Sequence, residues 1–171
     1  MVLSEGIINR VANSSLAIFD LEDYYPVGQR MAFDLKDFLF EEIVLKEKDF
    51  RQQLDDFHWE IFKDAYVALF CSSEAIIPPW AYMLVTSKLA PYARKTILGD
   101  LNHLEIALYQ EIIERIDVSY LKDKPIIIKG CSQKPVPEAA YVMAIEKIQS
   151  VAKSIMYGEA CSAVPIFKKK K

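Results

Sequence analysis

"PIIIKGCSQKPVPEAAYVMAIEKIQSVAKSIMYG", residues 125–158, decides the architecture. Three consecutive isoleucines, Ile126 to Ile128, with no polar alternation predict a short strand buried on both faces. Past the loop, "VPEAAYVMAIEKIQSVAK" reads as a helix. Proline is tolerated at its start because an N–H of the first turn has no intrahelical partner. "SIMYG" then supplies another short apolar run. Strand, loop, helix and strand in that order favour parallel pairing with helices packed on the sheet.

The same order recurs upstream. Displaced by 59 positions, Lys63-Asp64 falls on Lys122-Asp123, Pro78 on Pro137, Ala81-Tyr82 on Ala140-Tyr141, and Gly99 on Gly158. Like-for-like pairs lie between them, among them Leu54 with Ile113 and Leu69 with Ile128. Only the cysteine loop slips, Cys71-Ser72 matching Cys131-Ser132 at 60. Each copy reads as an apolar run ("EIVL" or "TILG"), a helix, a strand ("AYVALF" or "PIIIKG"), a loop and a second helix. In "LNHLEIALYQEIIERI", Leu101, Leu104, Leu108, Ile112 and Ile116 recur at helical spacing. Pro91 should end or kink the helix that begins at "PPWAYM".

The expected fold is therefore α/β. It has a mainly parallel sheet with helices on both faces, built from two tandem β-α-β-α repeats closed by a final strand, plus an N-terminal arm. Residues 1–171 are expected to form a single domain: arm 1–40, repeated core 41–167 and basic tail 168–171. Within the arm, "RMAFDL" suits an added edge strand, and the arm is free to pack on its own domain or clasp a second subunit.

The chain has 171 residues, 52% hydrophobic and 26% charged, the mix of a globular protein with a real core. Its net charge is −3, and four of its 21 basic residues are the terminal lysines, leaving 17 − 24 = −7 for the body. An acidic body argues against a nucleic-acid partner. "MVLSEGIINR" lacks the pattern of a signal peptide, and no apolar run reaches the ~18 residues of a membrane span. The cytoplasm is the expected location, with no membrane partner and with reduced thiols.

All three cysteines precede serine: "FCSSEAIIP", "KGCSQKPVP" and "EACSAVPIF". Each follows a predicted strand, so a parallel sheet would carry all three loops to its carboxyl edge, where open α/β sheets bind ligands. Helix N-termini beyond two of the loops would favour a thiolate, and the serines would cap those N–H groups or bond the sulfur. Cys71, Cys131 and Cys161 are thus candidate ligands of a shared zinc ion or iron–sulfur cluster, with Ser72, Ser132, Ser162 and Lys134 as binding residues. Two other readings stay open. The cysteines are packed groups of a homo-oligomeric interaction module, or Cys131, near Lys129 and Lys134, is the reactive thiol of an enzyme or sulfur carrier. The spacings match no C-x-x-C pattern, and the chain has no G-x-S-x-G elbow, phosphate loop or dinucleotide fingerprint. A non-enzymatic role is the expectation. His58 and His103 are read as surface or capping residues.

"NRVANSSL", "DLEDYYP", "LKEKDFR", "PPWAYML", "KGCSQKPVP" and "MYGEACSAVP" together resemble, in order and at matching distances, the bacterial domain-of-unknown-function family 2480. The likeness runs from about Ile8 to Lys168. It carries over no catalytic residue. It does imply a context, because members are encoded beside genes of the sulfur-mobilisation pathway that assembles iron–sulfur clusters. On that resemblance, iron–sulfur assembly proteins are expected partners, and the cluster reading of the three cysteines gains weight.

Overall fold

The computed structural model describes residues 16–130, 133–159 and 162–170. The described residues form an α/β fold whose strands pair mainly in parallel, with contacts that divide into two compact units, Pro26–Leu108 and Met1–Tyr25 with Tyr109–Lys171. The division falls inside one helix.

In the unit Pro26–Leu108, the strand predicted at "AYVALF" is β3, Tyr66–Phe70 (β1 and β2, earlier in the chain, are introduced below). Val67, Ala68 and Leu69 are all buried, as expected of a strand covered on both faces. Helix α2, Pro79–Leu89, leads from β3 to its parallel neighbour β4, Lys95–Leu98, and stops two residues before Pro91. Val67 and Leu69 share a cluster with Ala81, Val85 and Leu89 of α2 and with Phe50 and Leu54 of α1, Glu47–Asp56. Ala68 packs with Leu104 and Leu108, from the first half of α3, Leu101–Arg115. Helices therefore cover both faces of this sheet.

The other unit repeats the plan. Its central strand is β5, Pro125–Lys129, and α4, Glu138–Ile148, leads to β6, Ser154–Tyr157. Every one of these elements sits 59 positions beyond its counterpart, and so do their hydrogen bonds. Asp64 N–H donates to Tyr92 at 3.0 Å and Asp123 N–H to Val151 at 2.9 Å; Gly99 N–H donates to Leu69 at 2.9 Å and Gly158 N–H to Ile128 at 3.1 Å. Asp64 and Asp123 occupy the left-handed region, with φ of 59° and 57°, at the third position of a type II turn that launches each central strand. Aspartate is among the few non-glycine residues that tolerate it. In the second half of α3, Tyr109 and Ile113 take the places of Phe50 and Leu54 and pack on Ile126 and Ile128.

Several features depart from the expectation. The strands form two sheets, of order β2-β3-β4 and β1-β5-β6-β7. "EIVL" is not a strand: Val44 makes only an isolated antiparallel bridge with Phe40, and Ile43 and Val44 are exposed. The run is apolar but lies in a tight loop, where Glu41 and Glu42 have φ of 50° and 61°. And residues 16–40 supply one strand to each sheet. Strand β2, Arg30–Asp34, is the edge strand foreseen at "RMAFDL", parallel to β3 with Phe33 opposite Leu69. Strand β1, Ala17–Asp20, pairs with β5 in the same register, Phe19 opposite Ile128. "FDLEDY" and "FDLKDF" are a second repeat, displaced by 14 positions. In each, the aspartate Oδ1 caps a 3-10 turn by accepting the N–H two residues on at 3.0 Å. The phenylalanine also stacks on the ring five positions later, Phe19 on Tyr24 at 5.3 Å and Phe33 on Phe38 at 4.9 Å.

A final strand not foreseen in "VPIFK", β7 at Val164–Lys168, runs antiparallel to β6. It takes in the first lysine of the expected tail, and Lys169 N–H continues the pairing to Lys153 at 3.0 Å.

Because Leu54 and Ile113 occupy repeat-related buried positions, Leu54→Ala and Ile113→Ala should each lower stability by about 2–5 kcal/mol in urea unfolding. Ile43→Ala, at a side chain 66% exposed, should stay within about 0.5 kcal/mol.

Candidate functional site

The chemistry collects at the carboxyl edges of the two sheets, where the FDL turns meet the loops that follow the central strands. In the unit Pro26–Leu108, Asp34 does two jobs. Its Oδ1 caps the turn at Lys36, and it accepts the N–H of Ser72 at 2.9 Å, tethering the loop immediately after β3. Burial alone would raise the Asp34 carboxyl, but hydrogen bonds from Ser72 and Lys36 outweigh it and hold the group below its ordinary value. Cys71 is half-buried against the core of this unit, and its Sγ lies 3.2 Å from Ser73 Oγ. The serine that reaches the sulfur is thus the second of the loop. Ser72 is exposed and uses its backbone on Asp34. Cys71 packs on the same cluster as Ala81 and Val85 of α2; burial, the larger cause, and then the Cys71 charge raise the pKa of Tyr82 in the first turn of that helix.

At the corresponding edge of the other sheet, Lys129 Nζ lies 3.0 Å from Asp20 Oδ2, and this pairing raises the lysine pKa. Glu22 is buried, and its Oε1 accepts the N–H of Gln133 at 2.9 Å. Lys134 donates through Nζ to the Glu22 carbonyl at 3.0 Å and lies over the Tyr25 ring at 5.8 Å. A carboxylate from an FDL turn therefore anchors the post-strand loop in both units. Gly130, at the exit from β5, is closely packed: a Cβ there would come within 3.0 Å of the Tyr141 hydroxyl and 3.1 Å of Leu21 Cβ.

Of the predicted ligands, Cys131 and Cys161 lie outside the described residues, as does Ser132; Ser162 is exposed, its N–H donating to Glu159 at 2.9 Å. Among the described residues, no group of three His, Cys, Asp or Glu side chains could hold a metal ion. Asp100 caps α3: its Oδ1 accepts the His103 N–H at 2.9 Å and sits 2.8 Å from the exposed His103 Nδ1. What the unit of Tyr109–Lys171 does set side by side are the starts of two cysteine-bearing segments. β5 and β6 are parallel neighbours with Ile128 opposite Tyr157, and the chain leaves their ends toward residues 131 and 161.

The same edge carries a cleft of about 420 Å³. Ile128, Met156 and Tyr157 form its floor. Ile166 of β7 forms one wall, and Val136 with Glu138, Tyr141 and Ile145 on one face of α4 forms the other. Sequence reasoning missed this cleft because it missed β7. The signal was "VPIF", an apolar run after the last loop.

The family described as Protein of unknown function (DUF2480) matches residues 5–169, and the chain belongs to it. No curated protein and no solved structure matches the chain. No described helix is long and apolar enough to cross a membrane.

Asp34→Ala should cost about 1–2 kcal/mol by removing a cap and the Ser72 tether together. With a folded pKa below the ordinary 3.8, the Asp34 carboxylate contributes its stability above that value and loses it as pH falls through the folded pKa. The gap between wild type and Asp34→Ala in urea unfolding should therefore be full at pH 6 and shrink only below about pH 4.

Proposed function

We propose that the protein is a non-enzymatic, thiol-based metal- or cluster-binding accessory of iron–sulfur cluster assembly, with Cys131 and Cys161 as ligands. The observation that carries this reading is the pairing of β5 with β6. Neighbouring strands lie about 4.8 Å apart, so two segments that leave their adjacent ends start within reach of one ion whose Zn–S bonds are about 2.3 Å.

Cys71 belongs to the other unit, and its contacts with Ser73 and the core suit a packed role. The ligand reading therefore rests on the pair. Two thiolates per chain fall short of the four that structural zinc and [2Fe–2S] clusters take, and a second copy of the chain would complete the set. This gives the expected homo-oligomer a chemical reason.

Protein purified without oxygen should carry about one zinc ion or one cluster for every two chains, read by metal and sulfide analysis and the visible spectrum. Cys131→Ala or Cys161→Ala should abolish it, and Cys71→Ala should leave it in place. Metal-free, colourless protein that stays so after reconstitution would remove this reading in favour of an interaction module with packed cysteines.

A further inference from the structure

We infer that the cleft between α4 and β7 binds a small molecule with an aromatic or branched apolar body and a protonated amine. This inference does not depend on the thiol reading. The cleft's size falls within the range of ligand pockets, and it runs between α4 and β7 from beside the carboxyl ends of β5 and β6. Its body is apolar, and among the described residues Glu138, at the first turn of α4, is the one charged residue that lines it. Tyr141 and Tyr157 present rings edge to face, with centroids 5.6 Å apart. Aromatic faces beside a carboxylate suit a cation. The two lysines of this edge are engaged elsewhere: Lys129 with Asp20 at the end of β1, and Lys134 with the Glu22 carbonyl of the turn that follows it.

Comparison with the other copy strengthens the case. Fifty-nine positions upstream, Glu138, Ile145 and Tyr157 are Pro79, Thr86 and Leu98, and β7, whose Ile166 closes the cleft, has no equivalent in the sheet β2-β3-β4. Copies of one plan thus differ where the carboxylate, an apolar wall and an aromatic ring are needed. Packing alone does not call for a glutamate there.

The test is titration of the full chain with phenethylamine, 2-phenylethanol and 3-phenylpropionate, read by the Met156 methyl resonance and by calorimetry. Phenethylamine should saturate and shift that resonance, binding about tenfold or more tightly than the alcohol, the factor expected of a charge-assisted hydrogen bond. Glu138→Gln should reduce the amine to the level of the alcohol. Ile166→Trp, at a half-exposed position that can take the larger ring without unfolding, should fill the cleft and eliminate both. No saturable shift with any probe would overturn the inference. So would tightest binding of the carboxylate, or amine binding unchanged in Ile166→Trp.

Discussion

A strand buried on both faces can satisfy its backbone N–H and C=O groups only through strands on either side of it. β3 and β5 are such strands, and each βαβ unit provides just one neighbour, β4 or β6. The second neighbour comes from the start of the chain, where two short FDL segments pair in turn, β1 with β5 and β2 with β3. The residues from Pro26 to Leu108 thereby form a unit inserted between β1 and the strand it serves. Asp20 and Asp34, which close the two added strands, are also the residues that turn the chain sharply afterwards.

That arrangement decides where chemistry can happen. Because all pairings within β1-β5-β6 and β2-β3-β4 are parallel, the FDL turns and the post-strand loops emerge at the same edge of each sheet. Carboxylates at the ends of these strands and in the turns beyond them then become tethers for a cysteine loop: Asp34 for Ser72, Glu22 for Gln133. The two units have diverged from there. One packs its half-buried thiol against its core. The other adds β7 and a cleft.

The long repeat was legible in sequence because identities such as Lys63-Asp64 with Lys122-Asp123 mark turns whose backbone tolerates few residues. The α/β class followed from it, as did β3, β5, α2 and α4. The short repeat was as plain in its letters but escaped notice, since a six-residue match displaced by 14 does not look like a folding unit until its pairing partner is known. "EIVL" misled for a physical reason: hydrophobicity marks burial only when the backbone is extended, and here it is held in a loop by two left-handed glutamates. Of the site, the placement of the cysteine loops after strands was readable. The roles of Glu22, Asp34 and Ser73 were not, because they arise from contacts between segments that only the fold brings together.

The claim on which the functional account turns is that Cys131 and Cys161 lie within reach of one another. Trivalent arsenic bridges only such thiol pairs, so the direct measurement is mass spectrometry of the intact and digested chain after treatment with phenylarsine oxide. The account predicts one arsenic per chain, joining the peptides that contain Cys131 and Cys161, with Cys71 unmodified. Arsenic bridged through Cys71, or no bridged species at all, would contradict it.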